Sequence, residues 1–191
     1  MEAGMRGVAL VLALVLCQAL SAKEYTLSPQ STKLGFKVIY MGFWKVPGSF
    51  NDLDGSFNFD EATGQLTKVS VTVEIDSVDT GIPPRDHHLK DRDFFDSVAF
   101  PQATFTSAGV AVSLKKPSVL KGILTLRGIT QPFAMRVDYL GMTKTAGGGR
   151  GPAFKLKSVL DRKSFGVDYA PNFIISDKVG LEIDGVGRPG K

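Results

Sequence analysis

The chain has 191 residues, with 23 Lys and Arg against 19 Asp and Glu for a formal charge of +4, and a single Cys. A basic balance invites nucleic-acid binding, but the positive residues are spread along the chain, and short clusters such as Lys115, Lys116 or Arg162, Lys163 carry no interleaved aromatics. A solvated basic surface and no nucleic-acid partner are therefore expected.

In chain order, the first element is a leader. Arg6 precedes an apolar run from Gly7 to Leu20, followed by the small residues Ser21 and Ala22, which is the order of a secretory signal. The run is shorter than the roughly 18 to 20 apolar residues that cross a bilayer, and no positive stop-transfer residues follow it. Cleavage after Ser21 or Ala22 is expected, leaving a leader of residues 1–22 and one domain of residues 23–191 in the periplasm or secreted. Cys17 would leave with the leader; lipid attachment there would need a small residue where Leu16 stands. The mature domain then has no thiol, and its length buries enough core to fold without disulfides.

Beyond the leader, apolar and polar residues alternate with a period of two, as half-buried strands require. The runs are Leu34, Phe36, Val38, Tyr40; Phe57, Phe59; Val69, Val71, Val73, Ile75; Ala103 to Leu114; Leu120, Gly122, Leu124, Leu126; Phe133, Met135, Val137, Tyr139; Phe154, Leu156, Ser158, Leu160; and Val179, Leu181, Ile183. That makes about eight main strands. Turn chemistry separates them, for example Asp54-Gly55, Lys116-Pro117-Ser118 and Gly147 to Pro152, and such short links join antiparallel neighbours. Gly81 to Pro101 breaks the pattern, and its Leu89, Phe94 and Phe95 suit a short helix after Pro84 in a segment that crosses or caps one end of the sheet. Pattern alone leaves a sandwich and a barrel open. Thirteen Phe and one Trp tilt the choice towards a barrel that its own side chains fill or that holds one ligand.

Chemistry-bearing motifs are scarce. His87 and His88 are adjacent and point apart, with no third ligand evident, so no metal site is expected. Asp52-Leu53-Asp54-Gly55 lacks the acidic spacing of a calcium loop, and the Gly147 to Gly151 run does not lead from strand to helix as a dinucleotide site would. The domain offers no nucleophile elbow and no histidine outside one adjacent pair, so no catalytic residue and no cofactor are assigned. Arg85, Asp86, His87 and His88 form the densest ionisable cluster. Arg85, with His88, either meets an anionic head group or pairs with Asp86 or Asp91 to fix the crossing segment.

Four stretches together resemble the YceI-like family: Leu34 to Asp60, Ser77 to Ser107, Leu120 to Val137, and Ser158 to Asp168 with the closing strand VGLEIDGVG. The resemblance implies an all-β, antiparallel eight-stranded lipocalin-like β-barrel with the short helical crossing segment. It implies an exported lipid-binding protein of bacteria, with a polyisoprenoid or other long-chain lipid, polyprenyl or quinone-type, as ligand. One departure is Tyr40, where family members often carry histidine; an aromatic body with a polar tip still suits an apolar pocket. The residues expected to line that pocket are Phe36, Val38, Tyr40, Phe43, Trp44, Phe57, Phe105, Leu124, Leu126 and Phe165, with Arg85 and His88 at its mouth. Each apolar one is equally readable as ordinary core. Trp44 stands apart, because MGFWKVPGSF is too irregular for a central strand and a bulky aromatic in a loop tends to face a ligand. The reading is a non-catalytic carrier or buffer, monomeric or homodimeric, with transient membrane contact compatible. Its rivals are an enzyme on a small apolar substrate and a structural or adhesion barrel with a filled core.

Overall fold

The computed structural model describes residues 22–113, 116–145 and 148–190. The expected leader up to Ser21, with Cys17, and Gly147 of the glycine run lie outside the described residues, as does Leu114 at the end of an expected strand. Twelve strands form one antiparallel sheet: β1 Lys23–Leu27, β2 Thr32–Tyr40, β3 Trp44–Phe50, β4 Leu53–Asp60, β5 Gln65–Glu74, β6 Val78–Asp79, β7 Gln102–Ala111, β8 Ser118–Leu126, β9 Ile129–Lys144, β10 Arg150–Asp161, β11 Lys178–Val186 and β12 Arg188–Pro189. One helix, α1 Pro83–Lys90, interrupts the series between β6 and β7. It starts one residue before the expected Pro84, with proline in its first turn, where a missing N–H costs nothing.

The strand order is β12-β1-β4-β5-β7-β8-β9-β10-β11-β2-β3-β6. That order forces curvature. In a flat sheet β1 and β2 would lie eight strand spacings apart, about 38 Å, yet the chain between Leu27 and Thr32 reaches at most about 18 Å. The sheet must therefore curl round a central hollow. β11 and β12 repeat the constraint, since β11 runs along β2 while β12 runs along β1.

The expectation of eight strands is corrected to twelve. The eight runs recognised by alternation are β2, β4, β5, β7, β8, β9, β10 and β11; β1, β3, β6 and β12 were not among them. β6 and β12 are two residues each, too short for any period to register. The stretch expected to be an irregular aromatic loop is strand β3, paired with β2 from Tyr40↔Trp44 to Leu34↔Phe50. Its glycine and proline are explained locally. Pro47 sits on a stretch of β3 beyond the reach of β6, which pairs only Ser49 and Phe50, and proline is tolerated on such an edge. Gly48 leaves room for the Phe36 ring, which any Cβ there would strike.

Side chains on the concave face pack in two groups. Tyr25, Phe57, Phe59, Leu66, Val69, Phe105, Leu120, Met135, Val137 and Phe154 fill one end; Ile75, Leu126, Leu160 and Phe165 anchor the other. A bulge adjusts the pattern in β5: Lys68 has φ +51 and the pairing with β4 slips between Ser56 and Asn58. The extra residue turns Lys68 outward and lets Leu66 and Val69 both face inward.

Candidate functional site: an apolar cavity with a built mouth

The curl leaves two adjoining hollows. The larger, about 690 Å³, is lined on its walls by Phe36, Val38, Val46, Phe50, Leu126, Leu160 and Val179, and at its outer end by Tyr40, Thr80, Arg85, His88, Tyr169 and Ile174. The smaller, about 140 Å³, lies deeper among Phe57, Phe105, Leu120, Met135, Val137 and Phe154. Leu34, Val73, Ala103, Leu124 and Leu181 line both, so the two hollows adjoin at these side chains. Alternation builds this lining directly, because Leu34, Phe36, Val38 and Tyr40 project from one face of β2 and their partners on β3 share that face. At the far end, burial and then the Glu61 charge push the phenols of Tyr25 and Tyr139 up.

Three segments frame the outer end. The first is the β2–β3 turn. The second is α1, whose Arg85, His88 and Leu89 share one face by their spacing and all reach the cavity. The third is the segment 166–177 that follows a short 3-10 turn, Arg162–Phe165.

Arg85 makes contacts that neither alternative from the sequence named. Its Nε donates to the Thr80 hydroxyl at 2.7 Å and an Nη to the Thr80 carbonyl at 2.9 Å. Asp86 accepts from the Thr80 backbone at 2.8 Å and from its hydroxyl. Asp86 thus orders the loop and Thr80 holds the guanidinium. No carboxylate among the described residues lies within ion-pairing distance of Arg85, so the expected pairing with Asp86 or Asp91 is not made, and its second Nη remains uncommitted at the cavity mouth. His88 packs edge-on against Phe94 and Tyr169 at 5.0 and 5.2 Å, while its Nε2 lies 3.4 Å from Asp93.

The residue that sequence reasoning missed is Arg162. It is 4% exposed, and its guanidinium donates to the carbonyls of Ser176, Val167, Tyr169, Ala170 and Ile175 at 2.7 to 3.1 Å. Asp177 balances the charge at 3.4 Å. A planar cation with five fixed donors is the one side chain able to gather so many carbonyls at once. Arg162 therefore shapes segment 166–177 and the mouth it borders. The only sequence signal was an arginine directly after an apolar strand, which reads equally well as surface charge.

Of the twelve expected site residues, Phe36, Val38, Tyr40, Arg85, His88, Leu124 and Leu126 line the larger hollow, and Phe57, Phe105 and Leu124 the smaller. Three are not brought there. Phe165 is packed in the core at 3% exposure. Phe43 and Trp44 are 67% and 57% exposed: Trp44 shares the concave parity but stands one rung beyond the last lining pair, stacked 6.4 Å from Tyr40.

Comparison with known proteins agrees with this architecture. Residues 25–186 match the YceI-like domain. A UPF0312 protein of Photorhabdus laumondii is 35% identical over 159 residues, 82% of each chain. Protein YceI of Salmonella arizonae is 34% identical over 148 residues, 76% of this chain and 77% of its own. Among solved structures, the Campylobacter jejuni YceI protein aligns with a TM-score of 0.70 at 28% identity, covering 78% of this chain and 87% of that one. A polyisoprenoid binding domain from Saccharophagus degradans, implicated in plant cell wall breakdown, shares the fold with a TM-score of 0.64 at 14% identity, covering 89% of this chain and 100% of that one. With the domain matched across nearly all the described strands, the chain belongs to the YceI-like family.

Proposed function

We propose that this protein is an exported, non-catalytic carrier or buffer that holds one long-chain apolar lipid, polyprenyl or quinone-type, inside its curled sheet. The observation that carries the reading is the hollow itself: about 690 Å³ adjoining a further 140 Å³, with apolar walls and polar groups gathered at the mouth. A structural barrel would be filled there. An enzyme would need a constellation to do chemistry, and among the described residues the linings include no carboxylate, serine or cysteine. The fold shared with a polyisoprenoid binding domain supports the ligand class. Export rests on the Arg6 to Ala22 leader pattern.

Energetics favour a long chain. About ten buried methylenes offer ~8 kcal/mol gross, while association costs ~4 to 15 kcal/mol before net affinity appears. With few polar anchors inside, affinity must come from length. On this reading Arg85 and His88 stand where a head group would emerge. Organic extraction of gently purified protein should release one long apolar lipid per chain or per dimer, and delipidated protein should take up a polyprenol or a prenyl quinone. Delipidated, folded protein that takes up neither overturns the reading; turnover of the added compound would make it an enzyme instead.

A further inference from the structure

The rim of the cavity carries more exposed apolar surface than a rim in water requires. Met41 and Phe43 on the β2–β3 turn, Trp44 at the start of β3, Ile82 ahead of α1, and Tyr169 and Phe173 on segment 166–177 are all exposed, Phe43 by 67% and Phe173 by 69%. Much of this group is connected. Phe43 leans on Trp44 with ring centres 4.4 Å apart, and Trp44 stacks on the lining Tyr40. The backbone of Met41 donates to the carbonyl of Ile174 at 2.8 Å, which brings the neighbouring Phe173 alongside the same turn.

Other exposed apolar side chains, among them Val98, Val119, Leu140 and Val159, lie on the crossing segment and along the strands, outside this group. An antiparallel meander puts its turns alternately at two ends, and the turn 61–64 at the opposite end presents no large exposed apolar side chain. Singly exposed apolar residues are ordinary, whereas a group drawn from three separate segments around one opening marks an interaction surface.

We propose that this rim is a bilayer-docking surface, seated in the interfacial region of a membrane so that the cavity mouth opens towards the acyl chains. The proposal rests on the reading of the cavity as a lipid carrier. Continuity with the cavity selects a bilayer as occupant. A long apolar chain crossing water between membrane and mouth would meet a barrier that grows with every methylene exposed, and a rim seated among acyl chains removes that gap. Composition agrees, since Trp44, Tyr40 and Tyr169 have apolar bodies with polar tips and Phe43, Met41 and Phe173 offer wholly apolar tips, as interfacial anchors do.

Trp44, the single tryptophan, reports on docking without a label. Delipidated protein is mixed with vesicles of phosphatidylethanolamine and phosphatidylglycerol, with parallel vesicles brominated in the acyl chains. The expected result is co-sedimentation, a blue shift of Trp44 emission and quenching by the brominated lipid. F43S combined with F173S should weaken partitioning on the order of tenfold. Both sites are exposed and outside the cavity, so uptake of a detergent-dispersed polyprenol should be unchanged. Protein that stays in the supernatant with unshifted emission, yet takes up polyprenol, overturns docking and leaves the carrier reading intact. Docking without polyprenol uptake upholds the surface and overturns the carrier. Self-association that the double variant abolishes, without vesicle binding, would assign the rim to a second copy and overturn the proposal.

Discussion

Replacing Ala103 by phenylalanine would place a ring where the two hollows adjoin. Ala103 lies on β7 opposite Val73, and both residues line the larger and the smaller cavity. A bound chain long enough to pass that point loses the deeper hollow in Ala103→Phe, whereas a short one does not. The deeper hollow of about 140 Å³ holds roughly five groups of ~30 Å³ each. At ~0.8 kcal/mol per buried methylene that is ~4 kcal/mol, or roughly a thousandfold in affinity. The assay is uptake across a chain-length series of polyprenols by delipidated wild type and variant. Wild-type affinity should keep rising beyond the length at which Ala103→Phe reaches its plateau. Overpacking costs ~1 to 3 kcal/mol, so thermal unfolding of each protein without lipid accompanies the titration. A folded variant that binds the longest chain as tightly as wild type, or that loses short and long chains alike, refutes the idea of one continuous path.

Arg162→Ala should lower stability by about 3 to 5 kcal/mol, the range for breaking a buried charge network, because five carbonyls lose their shared donor. Denaturant midpoints measure the loss and hydrogen exchange should localise it to 166–177; a change under about 1 kcal/mol would mean the segment holds itself. Arg85→Ala should weaken binding of a prenyl diphosphate more than of an uncharged prenyl quinone, since the uncommitted Nη at the mouth is lost; equal weakening in competition titrations would reduce Arg85 to an anchor for Thr80. The acid side of the stability curve should depend on Glu182. A hydrogen bond from Lys155, then the charges of Lys155, Lys157 and Lys37, hold its carboxyl below the ordinary 4.5. A depressed carboxyl contributes stability that is present above 4.5 and lost as pH falls through its lowered value. Glu182→Gln should therefore flatten that acid slope, by a small amount that high salt removes, because the network is exposed. An unchanged slope in denaturant titrations at several pH values would exclude Glu182 as its source.

The alternation that betrayed β2, β5, β8 and β10 is a local property: a strand with one wet face must place its apolar side chains two apart, and so the sequence alone carries the all-β class and the inward parity of Leu34, Phe36, Val38 and Tyr40. The helix in the crossing segment was legible for a related reason, since proline both ends the preceding strand and opens a helix. Strand β3 was illegible because its glycine and proline answer to neighbours distant in sequence or absent, the Phe36 ring on Gly48 and the edge beside Pro47. Trp44 had the right parity for the cavity, but whether the last rung lies inside or beyond the mouth depends on how far the facing segment 166–177 extends over it. Arg162 was illegible because its role lies in five carbonyls that come together only when that segment folds back. The hollow itself is decided by tertiary structure. Phe57, Phe105 and Phe36 would make the same alternating pattern in a solid barrel, and whether their rings meet across the middle or leave room for a ligand is set by the circumference of the curled sheet, a closure among strands that no single stretch of sequence encodes.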